Sequence, residues 1–235
     1  MTYVISDLHG YDLEKFKKLL NKSQFSDDDF LYILGDVIDR NGDGGVDMLC
    51  WLLTQPNIEL ILGNHEAMLL ACEFIFDEIT DESINDIHSD NIGVLSDYMF
   101  NGGNITLKSL AKLNKTSPET TADILTYLHE APLYEAVSTD NNDFILVHSG
   151  LGNFAPTKKL SQYTSDELLW TRPRLEDRYF DDIITIFGHT PTLCYGSEYK
   201  GKIIKTDSWI NIDAGAASGL EPILLRLDDF KEFQL

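Results

Sequence analysis

Short apolar runs alternate with helical stripes through the first part of the chain. Thr2 to Ser6 is a β-rich run, and Leu13, Phe16, Leu19 and Leu20 then recur at helical spacing on a Lys-rich segment. Phe30 to Leu34 is a second run of strand length, Val46, Leu49, Cys50 and Leu53 mark a second helical stripe, and Ile58 to Leu62 is a third strand run. This β-α-β-α-β order predicts an α/β fold that begins with a largely parallel sheet.

From Asp77 to Asn104 the periodicity weakens and acids accumulate, ending in Asn101-Gly102-Gly103. The expectation is an acidic insertion over about 77–116, either a solvated loop-and-helix segment or a cap over a cleft. Ser117-Pro118-Glu119 predicts a helix start, with serine as N-cap and proline at the first helical position, running to about His129. Strand-like runs follow at Phe144 to Val147, Ile183 to Phe187, Ile203 to Thr206, Trp209 to Ile212 and Ile223 to Leu227, and only Ser165 to Trp170 reads as helix among them. They predict a second, partly antiparallel sheet. No repeat or Gly/Ser/Pro linker divides the chain, so a single domain over 1–235 is expected.

Composition narrows the classes. The 235 residues carry 39 Asp+Glu against 18 Lys+Arg, a formal charge of −21, which argues against holding nucleic acid or an anionic membrane through a basic face. A hydrophobic fraction of 43% is too high for disorder and supplies a core. Cys50, Cys72 and Cys194 are far apart, with no C-x-x-C pair, and read as reduced, mostly buried thiols of a cytoplasmic protein. The first residues form a strand pattern with no basic or apolar leader signature, and no apolar run reaches about 18 residues, so neither secretion nor a membrane span is expected.

The chemistry collects where strands end. Val4-Ile5 leads into Ser6-Asp7-Leu8-His9-Gly10, Ile33-Leu34 into Gly35-Asp36-Val37-Ile38-Asp39-Arg40, and Ile61-Leu62 into Gly63-Asn64-His65-Glu66. Later, Leu146-Val147 leads into His148-Ser149-Gly150 and Ile186-Phe187 into Gly188-His189-Thr190. In open α/β sheets ligands bind beyond the carboxyl ends of strands, so the five ends are expected to converge. Carboxylate, imidazole and carboxamide without thiolate suit Mn, Fe or Zn. Asp7 and His9, at i, i+2 on an extended segment, can share an ion, and Asp36 is a natural bridging carboxylate. Asp39-x-Asn41-x-Asp43-Gly44 mimics a calcium loop but has Cys50 at the twelfth position, so it reads as a turn. His88 and His129 have no motif around them and read as surface residues.

The ordered set D-x-H-G, G-D-x-x-D-R, G-N-H-E, H-S-G and G-H-T resembles the calcineurin-like metallophosphoesterases and, within them, the phosphoprotein phosphatases. Asn101-Gly102-Gly103, Leu169-Trp170-Thr171-Arg172 and Ile210 to Gly215 resemble the bacterial and phage serine/threonine protein phosphatases. The resemblance implies an α/β (α+β) fold, a β-sandwich of two mixed sheets flanked by helices on both sides. It also implies two divalent metal ions, Mn first with Fe or Zn as alternatives, one held by Asp7, His9 and Asp36 and the other by Asp36, Asn64, His148 and His189. Arg40, Arg172 and Asn64 would bind substrate phosphate. His65 would be the catalytic histidine, oriented by Asp39 to protonate the leaving alkoxide. The implied activity is a dinuclear metal-dependent phosphomonoesterase, acting on phosphoserine or phosphothreonine in proteins or on small phosphoesters through direct attack of a metal-bridging hydroxide.

Departures from the pattern open alternatives. Ser6 and Asn41 stand where the family usually has glycine, and Leu62 stands where many protein phosphatases place an arginine. Leu62 resembles instead the diadenosine tetraphosphate hydrolases, which often read L-G-N-H-D and for which asymmetric cleavage is expected. Glu66 and the Gly188-His189-Thr190-Pro191 ending favour the phosphatase branch, and Pro191 in place of a second histidine disfavours a phosphodiesterase or nuclease. A metal-bound regulatory module without turnover is the remaining alternative. Two ions with Arg40 and Arg172 would create a local positive field inside an acidic exterior, so partners neutral or basic around the phosphate are expected.

Overall fold

The computed structural model describes residues 1–76 and 89–235. His88 and the acids Asp77, Glu78, Asp81, Glu82 and Asp86 lie outside the described residues. The first three strands, β1 (Thr2–Ile5), β2 (Phe30–Ile33) and β3 (Ile58–Leu60), are parallel and alternate with helices α1 (Leu13–Ser23), α2 (Val46–Leu52) and α3 (Asn64–Leu70). Local chemistry sets the helix ends. Asp12 caps α1 by accepting the Lys15 amide at 2.8 Å, and Gln24 ends it in the left-handed region with φ 63°.

After a 3-10 turn at Glu73–Phe76 come α4 (Ser89–Tyr98), a π turn (Met99–Gly103), α5 (Asn104–Thr116) and α6 (Pro118–Glu130). The rest is β4 (Tyr134–Ser138), β5 (Asp143–Val147), the short α7 (Ser165–Leu169), β6 (Ile183–Phe187), β7 (Ile204–Lys205), β8 (Trp209–Asn211), β9 (Leu224–Arg226) and β10 (Lys231–Phe233). The strands form two five-stranded mixed sheets, ordered β10-β9-β1-β2-β3 and β4-β5-β6-β8-β7. In the second, β5, β6 and β8 are parallel, with β4 and β7 antiparallel at the edges.

Period-2 alternation sorts side chains between layers. Val4 and Leu225 of the first sheet meet Phe144, Leu146, Ile186 and Ile210 of the second in the sandwich core. Tyr3, Ile5, Leu31, Ile33 and Leu60 face the other way, onto Phe16, Leu19, Leu49, Leu110, Ile124 and Leu128 from the helices. Val147, Phe187 and Trp209 turn from the sandwich core to Leu168, Tyr163 and Tyr179, so the second sheet is covered mainly by loops and one short helix.

Several elements depart from the sequence expectations. Strands β4 and β10 have no strong apolar alternation and pair at sheet edges, where one neighbour suffices. The helix at Pro118 begins as expected, but Ser117 makes no side-chain cap; it closes the preceding helix instead, its amide donating to Leu113 O at 2.7 Å. Cys194 is exposed, against the expectation of mostly buried thiols, while Cys72 is buried and Cys50 half-buried. His129 sits on the surface and meets Glu73 at 2.7 Å. Among the described residues no helix is long and apolar enough to cross a membrane.

Candidate metal centre and phosphate site

All five motif-bearing strand ends meet at one edge of the sandwich, stitched together by backbone. The amides of Asp7, His9 and Gly10 donate to the carbonyls of Gly35, Asp36 and Val37 at 3.1, 2.8 and 2.8 Å, zipping the first two loops side by side. The second sheet joins through Gly188 N to His148 O at 2.8 Å, and its His189 amide donates to both oxygens of Asp7 at 2.9 and 3.0 Å. Gly35 is required here: with φ 80°, a Cβ would lie 2.5 Å from Gly63 Cα and 2.8 Å from His148 Nδ1.

Asp7, His9, Asp36, Asp39, Arg40 and His189 all have positive φ, six of the nine such non-glycine residues among the described residues. Left-handed backbone is costly for residues with a Cβ and gathers where the surrounding structure holds a functional geometry. Here the strained turns aim side chains from different strands at a common point.

Two groups of ligand atoms result, each within 4.8 Å of one another: His9, Asp36 and His65, and Asp36, His148 and His189. Asp36 belongs to both, as its bridging position in the sequence pattern requires. The first group holds His65 beside His9 and Asp36, whereas the sequence reading put Asp7 there; Asp7 is turned to the His189 amide. Asn64 Oδ1 completes the second group, 2.8 Å from His148 Nε2 and 2.9 Å from His189 Nδ1, with the two ring nitrogens 3.2 Å apart.

The donor set fits a divalent cation. His148 places Nδ1 2.8 Å from the Leu34 carbonyl and His9 places Nδ1 3.1 Å from that of Ile38. In the neutral ring that hydrogen bond puts the proton on Nδ1 and leaves the Nε2 lone pair facing the centre, the usual outer-sphere arrangement of a metal-ligating histidine. His148 Nε2, His189 Nδ1 and Asn64 Oδ1 thus converge on one another without protons enough to satisfy them all, while His9 Nε2 faces Asp36 Oδ2 at 3.5 Å, and a cation satisfies such a set.

Electrostatics point the same way. Burial, then the charge of Asp213, pushes the Asp7 carboxyl up to about 8. Burial raises Asp36 well above the usual carboxylate range; His65 opposes this, while Asp7 and Glu66 add to it. Burial, then neighbouring positive charge, depresses His9 well below its ordinary value and His189 to about 2. His148 is likewise lowered by burial. Crowded acids driven towards neutrality and imidazoles kept unprotonated form a set that positive charge stabilises.

Beside the ligands stands a hydrogen-bond relay. His65 Nδ1 lies 2.6 Å from Asp39 Oδ2, and both residues are buried. The other oxygen, Oδ1, accepts from Tyr98 OH at 2.7 Å and Thr106 Oγ1 at 2.5 Å. Burial pulls the His65 imidazolium down, but the charges of Asp36 and Asp39 and the hydrogen bond to Asp39 outweigh it and leave its pKa raised. Arg40 Nη2 approaches His65 Nε2 at 3.0 Å, and Arg172 Nη1 donates to Thr190 Oγ1 at 3.2 Å. Both arginines are exposed above the buried ligands, so the predicted phosphate-binding pair rims the centre.

Four contributors have roles that sequence reasoning did not assign. Glu66 is fully buried and accepts the amides of Asp36, Val37 and Gly63 at 2.8, 2.8 and 3.1 Å, fixing the loop that carries Asp36. A glutamate three residues past the Gly63 helix cap is a readable signal for this. Tyr98 and Thr106 lie in the weakly periodic segment and carry no local signal. Asp213 is buried behind Asp7 and held up at about 7, chiefly by burial. The segment expected to be a solvated insertion or a cap thus sends buried Tyr98, Thr106 and Leu110 inward, and its Gly102 carbonyl accepts the Arg40 amide at 3.3 Å.

Comparisons with known proteins agree with this geometry. The family model for calcineurin-like phosphoesterase matches residues 2–202. Among curated proteins, the symmetrical bis(5'-nucleosyl)-tetraphosphatase of Buchnera aphidicola subsp. Acyrthosiphon pisum (strain Tuc7) is 40% identical over 72 residues, 30% of this chain and 26% of that protein. Its counterpart in Salmonella paratyphi B is 41% identical over 73 residues, 30% and 25% of the two chains. The matched region spans about a quarter of the length of these relatives. Of solved structures, one provisionally described as a diadenosine tetraphosphatase has a TM-score of 0.62 at 17% identity, covering 100% of this chain and 92% of that one. A serine/threonine phosphatase from Saccharomyces cerevisiae has a TM-score of 0.52 at 15% identity, covering 95% and 71%. At these identities the structural likeness speaks for the fold. The family match over residues 2–202 shows that the chain belongs to the calcineurin-like phosphoesterase family.

Proposed function

We propose that the protein is a dinuclear metal-dependent hydrolase whose substrate is a dinucleoside polyphosphate. The observation that carries the chemistry is the convergence of His9, Asp36, Asn64, His65, His148 and His189 beneath the guanidinium groups of Arg40 and Arg172. The substrate assignment is supported by the symmetrical tetraphosphatases among the relatives and by Leu62 in place of a phosphate-gripping arginine. Cleavage is therefore proposed to be symmetrical, releasing two nucleoside diphosphates from diadenosine tetraphosphate, in place of the asymmetric cut expected of that alternative.

As the family resemblance assigns them, Asp7, His9 and Asp36 would hold one divalent ion, with Asp7 also accepting the His189 amide, and Asp36, Asn64, His148 and His189 would hold the other, with Mn, Fe or Zn suited to this set. When bound, such ions supply charge neutralisation at the phosphoryl group and activation of water. The chain's own residues do the rest. Arg40 and Arg172 present planar donor forks to phosphoryl oxygens and stabilise charge as it spreads over them. His65 donates its Nδ1 hydrogen to the Asp39 carboxylate and, with the ring protonated, donates from Nε2 to the leaving oxygen. In the free protein Arg40 faces that Nε2 at 3.0 Å, so a phosphoryl group that draws Arg40 away frees the nitrogen for its proton.

A serine/threonine protein phosphatase is the second reading, supported by the contact of the Asn101-Gly102-Gly103 turn with Arg40 and by Arg172 in Trp170-Thr171-Arg172. Side-by-side hydrolysis of diadenosine tetraphosphate, phosphoserine and phosphothreonine peptides and a bis-ester by metal-loaded protein separates the readings. The expected result is fastest turnover of the dinucleotide, with ADP as product. Faster phosphopeptide turnover establishes the second reading, and no turnover of any substrate refutes both.

A further inference from the structure

The rim around His189 carries a feature that phosphate chemistry alone does not use. Trp170 ends α7 and leaves its side chain 44% exposed, although indole is among the most costly surfaces to leave in water. Its ring stands edge-on to the His189 imidazole, with centroids 6.0 Å apart and planes at 88°. Two residues on, Arg172 reaches Thr190, the neighbour of His189. The chain here is pinned from below: the Thr171 amide donates to Ser149 Oγ at 3.0 Å and the Thr171 hydroxyl to Glu167 O at 2.9 Å. The indole is therefore presented on a fixed backbone, beside both the phosphate arginine and a candidate metal ligand.

Space continues outward from the same residues. Thr190 also lines a cleft of about 350 Å³ walled by Pro173, Leu175, Cys194 and Tyr195. Leu175 is 40% exposed on its wall. A bare phosphate makes no use of such an apolar neighbour, whereas a nucleoside attached to the phosphate chain matches it. A nucleobase has a π face of a size that an indole matches, and stacking of this kind is tolerant of base identity.

We propose that Trp170 is the stacking platform for a nucleobase of the substrate, with the phosphates running from it past Arg172 to the metal centre. This rests on the dinucleoside polyphosphate reading above. Trp170 is a specificity-determining residue: it separates nucleotide-bearing polyphosphates from bare ones.

Two measurements test it. In steady state, the ratio of the KM for diadenosine tetraphosphate to that for tripolyphosphate should rise about tenfold in Trp170→Ala, within the range measured for loss of one stacked base. Trp170→Phe should restore most of the difference. An unchanged ratio overturns the proposal, and so does a rise in Leu175→Asp in place of Trp170→Ala, which puts the base in the cleft. In binding, ADP should quench tryptophan fluorescence of the metal-loaded protein and inorganic pyrophosphate should not, since Trp209 is buried in the core and Trp51 packs against Phe16 in the helical layer. The ADP quench should vanish in Trp170→Ala. Equal response to the two ligands overturns the assignment without reference to turnover, whereas ADP quenching with no dinucleotide hydrolysis leaves the platform standing and removes the substrate reading.

Discussion

Two kinds of segment build the centre, and they differ in how many constraints fix each side chain. The strand-end loops hold six non-glycine residues at positive φ and tie their imidazoles to backbone carbonyls, while buried Glu66 gathers the amides that shape the Asp36 loop. The helical wall at residues 98–106 contributes two hydroxyls, both on one oxygen of Asp39, and a turn whose Gly102 sits at φ 104°. The floor is over-determined because several charges must be held close together at once. The wall acts on a single hydrogen-bonded pair and can change without rebuilding the site.

The largest effect is expected at the floor. Asp36→Asn removes charge from the one residue common to both ligand groups, so both ions should be lost and activity should fall by on the order of 10³-fold or more. Metal analysis of the purified variant checks this: two ions retained per chain would mean that Asp36 does not bridge. His65→Asn stands at the boundary between floor and wall. It should lower kcat on a phosphomonoester by roughly 10²–10⁴-fold, the scale of acid–base catalysis, with metal content preserved. The loss should be smaller on diadenosine tetraphosphate, because a departing nucleoside diphosphate is a far weaker base than an alkoxide and needs the proton less. Equal losses on both substrates would separate His65 from leaving-group protonation, and collapse of metal content would make it a ligand.

The same contrast explains what the sequence disclosed. Metal-ligand chemistry needs particular residue types immediately after strands, so Asp7, His9, Asp36, Asn64, His148 and His189 were all legible as neighbours in space from five short motifs. The parallel β-α-β-α-β opening was legible for a related reason, since β1 is buried along Tyr3 to Ile5 and β2 and β3 are short, mostly apolar runs buried at alternate positions. Tyr98 and Thr106 were not, because a hydroxyl that bonds one carboxylate oxygen leaves no periodicity, and the partner lies 59 or 67 positions away. Strands β4 and β10 escaped because these two edge strands are mostly half-buried or exposed and show no strong alternation. The left-handed backbone of the ligand residues is likewise invisible in composition: nothing marks His189 or Asp36 as a residue with positive φ.

A pH experiment on metal-stripped protein probes the floor with a smaller signal. Asp7 and Asp213 are held at about 8 and about 7 in the folded chain, so the folded state binds protons that the unfolded state has released, and their contribution is lost as pH rises through those values. The lowered His9, His148 and His189 act in the opposite direction, but only up to the ordinary histidine value of 6.5. Above 6.5 the carboxylates and the raised His65 act alone. The Tm of the stripped protein should therefore fall between about pH 6.5 and about 8, and added Mn should flatten the slope. A Tm that rises over this window would show that the acids are paired by something other than a cation.

The smallest effect belongs to the wall and decides whether it tunes the chemistry or only packs against it. Tyr98→Phe keeps the buried ring and removes the hydroxyl that lies 2.7 Å from Asp39 Oδ1, leaving Thr106 as the one side-chain donor to that oxygen. A hydrogen bond to a carboxylate contributes about 1.5–3 kcal/mol, but here the Thr106 hydroxyl remains and Asp39 still meets His65 at 2.6 Å. The expected loss in kcat is about tenfold, the lower end of what removing an outer-sphere partner costs, with metal content and KM unchanged. If kcat is unaltered while Tm drops, the hydroxyl stabilises the fold and the wall is scaffolding. If metal is lost, floor and wall are one cooperative unit, and the distinction between a fixed centre and an adjustable relay fails.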